Sequence, residues 1–295
     1  MVSIFKLMMK RFVTAFLFTF CCVPGFSWNA TGHQLVAQVA YDHLTPEAKK
    51  MCALYNKAYN QISSTANFIQ AASWLDTIRT KDIHWFDSLH YKDIPFSPDG
   101  TMLPPKQEIN ALWGIKQAIT VLSSEKSSLV DKGLSLRILT HLVGDVHQPL
   151  HTITRVTKKQ PKGDLGGNLF LLAHNPIGDN LHKYWDNGAG ILIGKNTPAK
   201  LRNKARQLEK RWSCSEADKV IKPQEWIKSS HQLALTRVYT LKQYQVPDKR
   251  YQMEAQTITQ KQLFFAGCRL ANVLNNIATL NPVYPVGIDQ IQSKG

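Results

Sequence analysis

Apolar residues recur along most of the chain at intervals of three and four, the spacing that gathers them on one face of a helix. Residues 30–44 carry Leu35, Val36, Val39, Ala40 and Leu44 in this pattern. Thr45-Pro46-Glu47 reads as the next helix start, a capping hydroxyl followed by proline at the first helical position. Residues 64–79 and 107–123 are amphipathic. Residues 134–148 place Ile138, Leu139, Leu142, Val143 and Val146 on one stripe, which Pro149 ends or kinks. Residues 198–212, 223–242 and 251–280 are further predicted helices. Two stretches break the rhythm. Residues 90–100, punctuated by Pro and Gly, predict a loop. Residues 158–174 predict a Gly-rich loop running into a short apolar stretch that suits a small hairpin. No internal repeat or linker is visible, so the predicted fold class is mostly α, a single helical domain.

The N-terminus departs from this pattern. Lys6, Lys10 and Arg11 precede an apolar run from Phe12 to Val23, and the small residues Gly25 and Ser27 stand at the −3 and −1 positions of a cut before Trp28. This is the layout of a signal peptide. The run is shorter than the ~20 residues of a membrane span. Residues 1–27 are therefore expected to be a cleaved leader, residues 28–295 the functional domain, and the destination secreted or periplasmic. An uncleaved anchor is the alternative. Cys21 and Cys22 raise a lipoprotein reading, but Phe20 is a poor cleavage context for it.

Charge narrows the partners only a little. The chain carries a formal net charge of +15; the leader holds three of its 36 basic residues and none of its 21 acidic ones, leaving +12 in the mature protein. Such a surface favours polyanions: nucleic acid, anionic headgroups or anionic glycans. Three cysteines survive cleavage, Cys52, Cys214 and Cys268. An exported compartment permits disulfides, so one pair and one free thiol are expected, though spacing does not say which pair.

The chemistry lies in histidine and aspartate. His141 and Asp145 are four apart on a predicted helix, and so are His182 and Asp186 in NLHKYWD. On a helix this spacing aims both side chains at one point. HLVGDVHQPLH (141–151) gathers three histidines and an aspartate at an apolar helix end, where an unpaired carboxylate is costly and a metal would remove the cost. Asp76 is isolated on the apolar helix SWLDTIR, and His90 opens a loop. With His33 and His151 the candidate set is complete, and imidazole plus carboxylate without thiolate suits catalytic zinc with open positions. His43, His84, His174 and His231 read as surface or satisfied core residues; His147 reads as support behind a ligand. Asn29-Ala30-Thr31 matches a glycosylation sequon but sits beside the expected metal site, where it is read as unused.

Trp28 and His33, then Asp76, His90, HLVGDVHQPLH, GDLGGN and NLHKYWD, in this order, resemble the zinc-dependent single-strand-specific nucleases and 3′-nucleotidases of the mung-bean-nuclease type. The resemblance implies a mostly helical fold shared with zinc phospholipase C and three Zn²⁺ ions. Carried over by position, Asp76, His90, His141 and Asp145 hold one ion. Trp28, through its α-amine and carbonyl, holds a second with His33 and the bridging Asp145. His151, His182 and Asp186 hold the third. The implied reaction is in-line attack by a zinc-bridging hydroxide on single-stranded RNA or DNA, giving 5′-phosphates, with 3′-nucleotides as further substrates. The site would keep a charge of about +2, attractive to a phosphodiester. Among catalytic positions the resemblance adds Arg79 and Asn187 near the scissile phosphate to Asp76 and Asp145. It also implies Tyr91 and Asp93 at the base, where aromatic stacking needs unstacked bases. The turn Asp164, Gly166, Gly167 and Asn168 reads as structural support, with Asn168 on the substrate side.

A zinc phospholipase C of the same fold is the runner-up. Asp186, where those lipases use Glu, the GDLGGN turn and the positive charge argue against it. A metal-sequestering or purely nucleic-acid-binding protein is the non-catalytic reading; the intact ligand set and Arg79 argue against that.

Overall fold

A buried helix organises the molecule. In the computed structural model, which describes residues 28–217 and 222–280, α6 (Leu129–Asp145) is buried almost continuously from Lys132 to Asp145. Ser128 caps it by accepting from the Asp131 amide. Against it pack α2 (Pro46–Tyr59), α5 (Ala111–Ser123) and, less extensively, α1 (Ala30–His43). The enclosure takes in polar residues as well as apolar ones: Lys132, Ser135, Arg137, Thr140, His141 and Asp145 are all buried along this helix. It also begins five residues earlier than the stripe alone predicts, because Ser128 supplies the start.

The remaining helices are α3 (Phe68–Ala71), α4 (Trp74–Arg79), α7 (Leu181–Asp186), α8 (Pro198–Glu209), α9 (Cys214–Ala217), α10 (Pro223–Leu233) and α11 (Lys249–Leu280). α11 packs along α1 and reaches α2, α6 and α9. The expected leader, residues 1–27, lies outside the described residues. Among those described, no helix is long and apolar enough to cross a membrane.

The fold class is as expected, with local corrections. The predicted helix over 64–79 is two short helices: the first starts only at Phe68, where Asn67 caps it by accepting from the Gln70 amide, and the chain turns at Ala72 and Ser73 before the second. The predicted helix over 223–242 stops at Leu233 and continues as a wider π turn over Ala234–Val238. Residues 158–174 form the expected Gly-rich loop, but in place of a hairpin they carry only isolated antiparallel bridges, Thr157 with Gln160 and Leu171 with Asn180. The strands instead are β1 (Ile94–Phe96), inside the predicted loop, and β2 (Ile153–Arg155), paired in parallel with Ile94 opposite Ile153. A parallel pair between segments so distant in sequence leaves no hairpin signature.

This pairing positions the site. It brings the segment after His90 alongside the segment after His151, so the Lys92 amide donates to the His151 carbonyl at 2.8 Å. Cys214 and Cys268 form a disulfide joining α9 to α11, and Cys52 is free and buried. The thiol count is therefore as expected, and the pairing that spacing left open is settled.

Candidate metal centre

Six segments converge on one buried site: the start of α1, α4, the turn before His90, the end of α6, the 3₁₀ turn Pro149–Thr152 and α7. Their histidines and aspartates form three groups, each with ligand atoms within 4.8 Å of one another: His33, His141 and Asp145; Asp76, His90 and His141; His151, His182 and Asp186. His141 belongs to two of them.

The first two groups merge around Asp145. One carboxylate oxygen lies 3.4 Å from Nε2 of both His33 and His141, and the other lies 3.2 Å from His90 Nδ1. Asp76 approaches the same three rings at 3.7–3.9 Å. The rings of His33 and His141 stack at 3.8 Å.

Hydrogen bonds fix which nitrogen is protonated. His141 Nδ1 lies 2.8 Å from the Ala72 carbonyl, His151 Nδ1 2.6 Å from the His90 carbonyl, and His182 Nδ1 2.7 Å from the Gly166 carbonyl. A carbonyl only accepts, so each Nδ1 carries the proton and each Nε2 presents a lone pair. The Nε2 atoms of His151 and His182 thus face one another at 3.2 Å, with Asp186 Oδ2 3.4 Å from His182. Lone pairs converging on carboxylate oxygens repel unless a cation lies between them. Both ring nitrogens of His33, Asp76 Oδ1 and His90 Nε2 are buried without a hydrogen bond. Buried polar atoms of this kind ordinarily have partners, so the donor set fits metal ions.

Burial shapes the protonation. It lowers His33 and His151 well below the ordinary imidazole value, His90 to about 3 and His141 to about 4. Burial raises Asp76 and Asp186 well above the carboxylate range; the neighbouring Asp145 adds to both. The imidazoles are neutral and ready to coordinate, and the carboxyls need a cation to ionise comfortably.

Trp28 is fully buried, its Nε1 donating to the Gly144 carbonyl at 3.0 Å. The next amide, Asn29, donates to the Asp186 carbonyl at 3.1 Å, which ties the main chain beside Trp28 to α7. Asn29 caps α1 with its Oδ1, while its Nδ2 donates to Asn187 Oδ1 and the Leu192 carbonyl. Both ends of the Asn29 side-chain amide are therefore engaged within the protein.

The remaining candidates stand around this core. Arg79, on α4 three residues after Asp76, is buried and pairs through Nε with Asp87 at 3.0 Å. Tyr91 is 37% exposed. Asp93 is half-buried, and burial, then Asp164, pushes its carboxyl up to about 8. Asn187 accepts from Asn29 and donates to the Ile177 carbonyl, bracing the chain after α7. Asn168 donates back to the Leu165 carbonyl within its own turn.

The glycine turn supports the third group directly. Asp164 is fully buried and accepts from the Arg155 and Gly167 amides and the Tyr239 hydroxyl. Gly166, at φ +62°, sits where a Cβ would come within 2.5 Å of the Leu150 carbonyl. Only glycine lets that backbone come close enough for its carbonyl to hold His182.

Three supporting residues escaped the sequence reading: Gln148, whose Nε2 donates to Asp186 Oδ1 at 2.8 Å; Asp87, which holds Arg79; and Tyr239, which holds Asp164. A buried glutamine between two ligand positions in HQPLH was the one available signal. His147 does not back a ligand side chain. Its Nδ1 donates to the Val143 carbonyl and its Nε2 accepts from Arg269, tying α6 to α11. Of the other histidines, His43 meets Glu209, His84 meets Asp82 and Asp87, and His231 meets the Thr152 carbonyl.

Residues 28–279 match the S1/P1 Nuclease family model. The chain is 30% identical over 167 residues to Nuclease P1 of Penicillium citrinum, covering 54% of this chain and 57% of that protein. It is 26% identical over 281 residues to Endonuclease 3 of Arabidopsis thaliana, covering 85% and 88% respectively. Nuclease S1 of Aspergillus oryzae is 24% identical over 170 residues, 55% of this chain and 54% of that protein. The matches to the two fungal proteins thus span a little over half of their lengths, whereas the family model runs from the first described residue almost to the last. With the ligand-bearing segments all inside that match, the chain belongs to the S1/P1 nuclease family.

Proposed function

We propose that the mature chain is an exported phosphodiesterase that uses three Zn²⁺ ions to hydrolyse single-stranded RNA and DNA to 5′-phosphate products, and that also removes phosphate from 3′-nucleotides. The observation that carries this reading is the convergence of three His/Asp groups in one buried site whose lone pairs and carboxylates require cations. The names of the relatives, Nuclease P1, Nuclease S1 and Endonuclease 3, support the reaction class. The disulfide supports an oxidising destination.

The ligands are divided as the resemblance implies. His141, His90, Asp76 and Asp145 hold one ion, His33 and Asp145 a second with the Trp28 main chain, and His151, His182 and Asp186 the third. When bound, the ions supply Lewis acidity at the phosphate and a water acidic enough to attack near neutral pH. The chain's own residues do the rest. Ala72, His90 and Gly166 hold the imidazole tautomers through their carbonyls. Gln148 fixes the Asp186 carboxylate. Arg79, steadied by Asp87, offers a guanidinium to charge building on the phosphoryl oxygens. Tyr91 gives a partly exposed ring for stacking on an unpaired base. Asp93, protonated at neutral pH, donates a hydrogen bond to a base acceptor. Asn187 braces the segment that joins α7 to the start of α1.

Trp28 makes the reading testable. Its amine is a ligand only after cleavage between Ser27 and Trp28, because an amide nitrogen does not coordinate at ordinary pH. Protein beginning at Trp28 is expected to bind three zinc ions and to release 5′-phosphorylated nucleotides from single-stranded substrates faster than from duplexes. Protein with one added residue before Trp28 is expected to lose one zinc and most activity. Metal analysis with a product end-group assay decides. Full activity of the extended form would remove Trp28 from the site, and release of phosphocholine from lecithin without nucleotide products would assign a lipase instead.

A further inference from the structure

The tryptophan at position 85 is 89% exposed, yet it stands on a turn that is hydrogen-bonded at both ends. The brace begins at the end of α4, the helix of Asp76 and Arg79. The Asp82 amide donates to the Arg79 carbonyl and the Ile83 amide to the Ile78 carbonyl, with Asp82 at φ +62°. This is the Schellman closure, which stops a helix in one defined direction. Beyond it, the Asp87 amide donates to the His84 carbonyl, and a 3₁₀ turn over Asp87–Leu89 leads straight into His90. Residues 80–89 are therefore a short span fixed at both ends to residues of the metal centre.

Side chains lock the same span. His84 lies 3.0 Å from Asp87 through Nδ1 and 3.1 Å from Asp82 through Nε2. A carboxylate at each nitrogen favours the doubly protonated ring, and the hydrogen bonds to Asp87 and then Asp82 raise its pKa above the ordinary imidazole value. Asp87 in turn holds Arg79 at 3.0 Å. The relay Asp82–His84–Asp87–Arg79 thus runs from the surface to the guanidinium beside Asp76. Isolated exposed apolar side chains are ordinary on protein surfaces. An almost fully exposed tryptophan on a doubly anchored, ion-paired turn that ends at the metal centre is a platform held in place.

We infer that Trp85 is a second base-stacking platform, which takes an unpaired base flanking the scissile phosphodiester while the relay from Asp82 to Arg79 sets its position. This rests on the nucleic-acid reading above and extends it from one base, at Tyr91, to a longer strand. A base is the occupant that fits. An indole face accepts any of the four, the exposed Lys81 on the same span suits a phosphate beside it, and the span is continuous with the site where such a strand would be cut.

The test compares an oligonucleotide with a 3′-mononucleotide on the zinc-loaded protein. Trp85→Ala is expected to raise the ratio of the two KM values about tenfold, the lower range for loss of one stacked base. Trp85→Phe is expected to restore most of it. Binding of a hydrolysis-resistant phosphorodithioate oligonucleotide should weaken in parallel and should quench tryptophan fluorescence less in the variant. Trp113→Ala, an exposed tryptophan on α5, serves as control and is expected to leave the ratio unchanged. An unchanged ratio in an active Trp85→Ala protein would overturn the inference while leaving the proposed function standing. So would a variant whose only defect is weaker binding to anionic phosphatidylglycerol vesicles. A zinc-loaded parent inactive on every nucleotide substrate would overturn both.

Discussion

Asp145 is the residue on which the site turns. Its two oxygens reach His33, His141 and His90 at 3.2–3.4 Å, so it serves two of the three groups. Asp145→Asn keeps the shape and removes the charge. Zinc content should fall by about two ions, whereas His182→Ala should lose about one; metal analysis of purified protein distinguishes the two. Gln148 acts one step further out, by holding Asp186. Gln148→Ala should weaken the third zinc about 10–100-fold, the usual effect of losing a partner behind a ligand, while leaving the other two in place. His141 with Asp145, and His182 with Asp186, were legible because side chains four apart on a helix lie on one face, Asp76 and His90 from their local context, and Trp28 only through the family resemblance. Gln148, Asp87 and the carbonyls of Ala72 and Gly166 were not, because their partners are set by how loops fold together and no spacing records that. His147 shows the converse. It lies in the most ligand-rich stretch of the chain, yet α6 ends at Asp145 and the next turn directs its ring to Arg269.

Elements were legible where local signals decide them. Thr45 before Pro46 starts α2 as predicted, and the stripe of α6 packs as a helix face should. They were illegible where distant segments compete. The parallel pairing of Ile94 with Ile153, and the close approach of Gly166 to Leu150, have no local precursor. The glycine turn is an element in its own right, because its backbone holds His182. Gly166→Ala combines a left-handed backbone with a Cβ only 2.5 Å from the Leu150 carbonyl, so something must shift. The conformational penalty alone is about 1–2 kcal/mol, and displacement of the turn should release the third zinc. Gly100 is the control. It has φ +76° but open space around it, so Gly100→Ala should lose a similar amount of thermal stability and keep all three ions. Thermal melts read beside zinc content would separate strain from loss of the ligand's support.

At the scale of the whole molecule, the metal ions and the protons compete for the same buried groups, and this makes the stability of the domain depend on pH. In metal-free protein the raised carboxyls of Asp76 and Asp186 hold protons that the unfolded chain has already released above about pH 4. Their contribution therefore favours folding at acid pH and is lost as pH rises through the folded values. The buried imidazoles work in the opposite sense. His90 at about 3 and His141 at about 4 lie below the unfolded value, so they oppose folding under acid conditions and cease to matter above about pH 6.5. Between pH 5 and 8 these imidazoles are already neutral in the folded protein, so the protons that zinc must displace come chiefly from the carboxyls. Zinc affinity should rise across that window, and with it the stabilisation that binding confers. The gap in melting temperature between zinc-loaded and chelated protein should widen steadily from pH 5 to pH 8. Calorimetry in two buffers of different ionisation enthalpy should record proton release on zinc binding, and Asp186→Asn should reduce that release. A gap that stayed constant across the window, with no proton released, would mean that Asp76 and Asp186 are ionised before the metal arrives, and that burial is not what prepares them to bind it.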